Sequence, residues 1–161
     1  MNNMSEIVLT RIDDRLIHGQ VMTAWVKKTR ANQILIIDEE VAKDDFMSEI
    51  LKMSAPSGID IIVKGLEDAV TFLKAQESEN KRLIILVKAP VTIDALVKNE
   101  IAIDKLVVGG MGAKANRRVL YKNISASDEE RTTFKQLIDQ GIPVVIHIIP
   151  DQKETDLSKY L

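Results

Sequence analysis

The sequence predicts a doubly wound α/β domain, an open and mainly parallel sheet with helices on both faces. Short β-branched runs alternate with segments of helical periodicity along the chain. The runs are continuously apolar, as strands covered on both faces require. At 161 residues, the chain has the length of one domain, 1–161, able to bury roughly 70% of the surface its unfolded form exposes.

Ile7, Val8 and Leu9 open the series, in a first strand expected over residues 7–12. Further apolar runs follow at 34–37, 59–63, 83–87, 106–108 and 144–149, each rich in Ile, Val or Leu. The intervening segments read as helices. After the first strand, Val21 and Trp25 lie one helical turn apart, as do Met22 and Val26. Between the third and fourth strands, Leu66, Ala69, Val70 and Leu73 form one stripe, with Glu67 and Lys74 off it. The last helix has the plainest limits: Ser127 and Glu130 match a capping box, Phe134, Leu137 and Ile138 form the buried face, and Gly141 and Pro143 stop it. Segments 54–58 and 76–80 read as surface connections. Right-handed crossovers then gather the loops after the strand C-termini at one edge of the sheet.

Composition narrows the functions available. Hydrophobic residues make up 45% and charged residues 29%, which is ordinary globular usage. A net charge of -2 with both signs interspersed gives no footing for nucleic acid. The absence of cysteine excludes disulfides, thiolate metal sites and cysteine nucleophiles. No apolar run approaches the roughly 18–20 residues that span a bilayer, and residues 1–6 lack the character of a signal peptide. A cytoplasmic location without membrane insertion is expected.

The densest chemistry lies in Arg11-Ile12-Asp13-Asp14-Arg15-Leu16-Ile17-His18-Gly19-Gln20-Val21. If this segment runs from strand to helix, His18 falls just before a helix beginning near Gly19. Its ring then sits beside unpaired amides and the positive end of the helix dipole, where an anion is favoured. Arg15 can clamp phosphate oxygens with its planar fork. Asp13 or Asp14 can accept a hydrogen bond from one ring N–H and leave the other nitrogen free to attack. Gly19 allows close backbone approach. The combination points to an imidazole that handles a phosphoryl group. A lone histidine at a helix start, read by itself, is an ordinary surface or capping residue.

This segment, with Trp25 after it, resembles the active-site segment of the enzyme IIB components of the mannose/fructose/sorbose-type sugar phosphotransferase system. The likeness continues through the acidic stretch 38–45, Ala55-Pro56 and Gly58, Val108-Gly109-Gly110-Met111, and the helix start at Ser127. The resemblance implies the α/β architecture already inferred and a phosphorelay without cofactor or metal. His18 would take a phosphoryl group from a phosphorylated IIA protein, with Nδ1 attacking. It would then pass the group to a sugar such as mannose, fructose or sorbose, carried by the membrane permease IIC/IID. Arg15 would stabilise charge, Asp13, Asp14 and Arg11 would support the loop, and Gly109, Gly110 and Met111 would form a neighbouring loop.

Other candidates are weaker. His147, in the last β-branched run, reads as a structural group, and Trp25 and Phe134 as core. Two distant histidines with Asp44 and Asp45 do not make a metal site. The glycines at 109, 110 and 112 lack a full dinucleotide fingerprint. The alternatives to a relay are a regulatory or anion-binding module that holds a phosphorylated ligand without turnover, and a small hydrolase using His18 and Asp14.

Overall fold

The computed structural model describes residues 6–75 and 81–161, so the expectations for residues 1–5 and for the 76–80 connection lie outside the described residues. The central strand is β1 (Glu6–Asp13), followed by helix α1 (Gly19–Thr29). Then come β2 (Gln33–Ile37), α2 (Glu39–Lys43), α3 (Asp45–Met53), β3 (Asp60–Lys64), α4 (Leu66–Ala75), β4 (Arg82–Val87), α5 (Pro90–Lys98) and β5 (Leu106–Gly110). The remainder is a hairpin of β6 (Arg118–Tyr121) and β7 (Ile124–Ala126), helix α6 (Asp128–Asp139), β8 (Val144–Ile146), β9 (Thr155–Asp156) and a short 3-10 turn at Leu157–Tyr160.

The main sheet runs β3-β2-β4-β1-β5-β8-β9. All its pairs are parallel except the last, β8 with β9. Strand β2 is buried at every residue and β4 at all but the first, as continuous apolar runs require of strands covered on both faces. One core packs Met22 and Trp25 of α1, Val41 of α2 and Leu51 of α3 against Ile34, Ile36, Ile84 and Leu86. The opposite core packs Ala69 of α4, Ile93 and Leu96 of α5, and Phe134 and Leu137 of α6 against Leu35, Ile85, Ile12 and Val108. Helices therefore cover both faces, and the doubly wound expectation holds.

Two consequences position the site. Strand β1 lies between β4 and β5, where the windings to its two sides diverge, and ligand crevices form beyond the strand C-termini at such a point. The capping box of α6 is present in full: Ser127 Oγ accepts from the Glu130 amide at 3.1 Å, and Glu130 Oε1 accepts from the Ser127 amide at 2.9 Å.

The structure differs from the expected strands in three places. The β6–β7 hairpin and β9 were not expected. The run expected over residues 144–149 leaves the sheet after Ile146, because the His147 and Ile148 carbonyls turn to accept from the buried Arg11 guanidinium.

Candidate functional site

Residues alternate across a strand, so Arg11 and Asp13 share one face of β1, and both are fully buried. Buried charges persist only when paired. The Arg11 guanidinium donates to the His147 carbonyl at 2.7 Å and to the Ile148 carbonyl at 3.0 Å. It lies 3.8 Å from Asp13 Oδ2, and its carbon is 5.2 Å from the Trp25 ring centroid. Burial pulls its pKa down to about 10 against the raising effect of Asp13, with Arg15 adding to the fall, so it stays charged at neutral pH. A Cβ at Gly109 would overlap this guanidinium, which is why that position carries no side chain.

Asp13 passes the arrangement outward to Arg15. Arg15 Nε donates to Oδ1 at 2.9 Å and Nη2 to Oδ2 at 3.0 Å, a bidentate pair, while the Arg15 amide donates to Oδ1 at 3.1 Å. The Asp13 hydrogen bond is the main cause that holds Arg15 above the usual arginine pKa, with burial opposing it. The remaining nitrogen, Nη1, lies 2.9 Å from His18 Nε2. A guanidinium has only donors, so Nε2 accepts and the neutral ring carries its proton on Nδ1. That Nδ1 is shielded from solvent and finds no hydrogen-bond partner among the described residues. The half-buried His18 caps α1 with its backbone only.

The turn is tight and partly strained. The Leu16 amide donates to the Asp13 carbonyl at 2.8 Å, and the buried Leu16 has a φ of 58°. That left-handed conformation costs a residue with a Cβ about 1–2 kcal/mol. Gly19 has a φ of 35°, and nothing lies within 4 Å of where its Cβ would be. It is needed for its backbone angle and not for the close approach expected from the sequence.

A second correction concerns the carboxylates. Neither Asp13 nor Asp14 bonds the His18 ring. Asp13 is saturated by Arg15 and faces the sheet interior. Asp14 Oδ2 accepts from the Gly112 amide at 2.8 Å and from Arg117 Nη1 at 3.4 Å. The group on the ring is cationic, Arg15. Gly109 and Gly110, expected in a neighbouring loop, are instead the last two residues of β5, beside the turn: Asp13 pairs in register with Gly110, and the Asp14 amide donates to the Gly110 carbonyl at 3.0 Å. A Cβ on Gly110 would stand 2.6 Å from Asp13 Oδ1. Met111 is buried and holds the β7 amide of Ser125 with its carbonyl at 2.8 Å.

Arg117 was not singled out from the sequence. Its only sequence signal is the basic pair Arg117-Arg118. Its side chain is 3% exposed and forks onto Glu130 at 2.9 and 2.8 Å. Burial pushes Arg117 down, but Glu130 and Asp14 outweigh it and hold its pKa above the ordinary value. Burial likewise pushes Glu130 up, and the Arg117 and Ser127 hydrogen bonds outweigh it to leave Glu130 lowered.

His147 is structural in its contacts. Its Nε2 lies 2.6 Å from the Gln152 carbonyl, its ring meets Trp25 edge-on with centroids 4.9 Å apart, and Trp25 Nε1 donates to the Ile148 carbonyl at 2.9 Å. Among the described residues, no cluster of His, Cys, Asp or Glu could hold a metal ion, and no helix is long and apolar enough to cross a membrane. The assembled site is thus a histidine at a helix start, touched by a tethered arginine at the ligand edge of the sheet.

Comparison with known proteins identifies the family. The family model of the PTS system sorbose subfamily IIB component matches residues 7–161. The sorbose-specific EIIB component of Lacticaseibacillus casei is 32% identical over 94% of this chain and 92% of its own length. The fructose-specific EIIB component of Bacillus subtilis is 28% identical over 98% of this chain and 97% of its own. Among solved structures, the IIBSor domain of the sorbose permease from Klebsiella pneumoniae superposes with a TM-score of 0.92 at 28% identity, covering 96% of this chain and 95% of that one. The chain belongs to the sorbose subfamily of IIB components of the sugar phosphotransferase system.

Proposed function

We propose that this IIB component is a single-domain phosphorelay subunit in which His18 carries the phosphoryl group. It takes that group from the phosphohistidine of a phosphorylated IIA protein. It then gives it to a sugar held by the membrane permease IIC/IID, while itself remaining on the cytoplasmic side. The sugar belongs to the class named for the relatives, such as sorbose or fructose. The observation that carries the reading is the 2.9 Å contact between Arg15 and His18 Nε2, made by a guanidinium anchored on a buried carboxylate.

The step is a displacement between two imidazoles. A ring nitrogen of His18 donates its lone pair to phosphorus as the N–P bond of the donor breaks. The electrons of that bond return to the donor nitrogen, and the proton released from the His18 ring restores the neutral donor. Such a transfer needs alignment and charge neutralisation more than covalent work by the protein. At rest, Nε2 is occupied by Arg15 and Nδ1 is shielded and protonated. Attack by Nδ1 therefore requires the ring to turn outward and give up that proton. Arg15, released from the ring, remains near enough to bind the arriving phosphoryl oxygens together with the first amides of α1.

The test is to incubate the chain with the general phosphocarrier proteins, a phosphoryl source and IIA. An acid-labile, base-stable phosphate on His18 is expected, with none in His18→Ala, whose fold stays intact. An unaltered rate of phosphate uptake in His18→Ala removes the assignment. Uptake absent from the natural chain favours the anion-binding alternative, and turnover of a phosphate ester without a protein partner favours the hydrolase.

A further inference from the structure

We propose that Arg117 is a positioning residue for phosphoryl transfer, acting through Asp14 to fix the His18 turn against the rigid start of helix α6. The proposal rests on the reading of His18 as the carrier. The guanidinium is nearly inaccessible, and its contacts join three separate segments. Nε and Nη2 fork onto both oxygens of Glu130, the residue that closes the α6 capping box. Nη1 donates to the Gly112 carbonyl at 3.0 Å and reaches Asp14 Oδ2 at 3.4 Å. Asp14 returns the contact by accepting from the Gly112 amide at 2.8 Å. Gly112 is thus gripped at both backbone groups, and the loop after β5 is locked to the turn after β1.

The mechanical sense is one of stiffness. Arg15 is useful only if its free Nη1 side is held in place for the phosphoryl oxygens, and the tether that holds it, Asp13, is adjacent to Asp14. Without the Arg117 strut, Asp14 keeps a single amide partner and the turn loses its connection to α6. The strained Leu16 backbone then has a route to relax. A lysine in place of Arg117 keeps the charge but cannot make the fork on Glu130 and reach Asp14 together. The expected defect is in the transfer step and not in encounter with the donor, because Arg117 is too buried to meet a partner.

The experiment times transfer from phosphorylated IIA by rapid quench at several donor concentrations. It uses the natural chain, Arg117→Lys, Asp14→Asn, the two combined, and Leu137→Ala as a variant that only loosens the core of α6. Arg117→Lys is expected to lower kcat about tenfold with KM within about twofold, as small misplacements of transfer groups do. Asp14→Asn is expected to match it, and the double variant to be no slower than the worse single one, since both cut the same linkage. Leu137→Ala is expected to lower Tm yet transfer at the natural rate per folded molecule. A natural kcat in Arg117→Lys, additive losses in the double variant, or equal slowing in Leu137→Ala overturns the proposal. A natural chain that never loads phosphate on His18 overturns the carrier reading and this one with it. Normal loading with an unaffected Arg117→Lys overturns this one alone.

Discussion

Gly109 carries no side chain because the guanidinium of Arg11 fills the space where one would stand. Arg11 cannot retreat, since it is fully buried and bonded to two carbonyls, and among the described residues its own Nε already lacks a partner. Gly109→Ala is therefore expected to destabilise the fold by about 1–3 kcal/mol, the usual range for overpacking, as read by chemical denaturation. Arg15→Ala acts differently. It leaves Asp13 with Arg11 at 3.8 Å as its remaining cation and removes the group on the His18 ring. It is expected to slow phosphate acceptance by about a hundredfold, in the range of lost transition-state donors, measured by single-turnover transfer. At this scale most residues of the candidate site were legible as a group, because His18, Arg15 and the aspartates sit in one short segment. It misassigned their partners for a physical reason. Adjacency along the chain suggested that a carboxylate holds the imidazole, whereas strand alternation turns Asp13 inward toward Arg11 and leaves Arg15 to bridge outward. Arg117 was out of reach, since its partners Asp14 and Glu130 are brought to it only by the fold.

Elements were legible where a physical signal repeats. Continuous apolar runs marked six strands of the main sheet, because burial on both faces demands them. The capping box marked the start of α6 through the reciprocal bonds of Ser127 and Glu130. Ser127→Ala is expected to cost about 1 kcal/mol, as a lost N-cap does, by thermal or denaturant unfolding. The hairpin of β6 and β7 gave no such signal: Arg118 and Val119 are both exposed, so no apolar alternation betrays the strand. The two residues of β9 are too short for any pattern. The end of β8 was overestimated because the run continues apolar through Ile148 and Ile149, while Arg11 withdraws the two backbone carbonyls that would have extended it.

Across the molecule, the site is held by two frames that meet at the end of β1. One runs from Arg11 to the His147 and Ile148 carbonyls and Trp25; the other runs from Asp14 through Arg117 to α6. The second frame makes stability depend on acid. Glu130 titrates below its ordinary value of 4.5 in the folded chain, because the Arg117 and Ser127 hydrogen bonds outweigh burial. Its contribution is present in full above that ordinary value and is lost as the pH falls through the lowered one. Arg117 is raised, so its contribution persists at every pH below the arginine range and leaves the acid limb to Glu130. Glu130→Gln is expected to lower stability at neutral pH and to flatten the fall in Tm below pH 4.5; an acid limb as steep as before would remove Glu130 from that role.

The central claim, that one imidazole at the mouth of the sheet is the carrier, is met most directly by locating the phosphate. After loading from IIA under alkaline quench, phosphorus–nitrogen coupling on ring-labelled protein identifies the modified histidine. The account predicts one phosphohistidine per chain, at His18, with His147 unmodified. Phosphate on His147, or a loaded chain with both rings free, would contradict it.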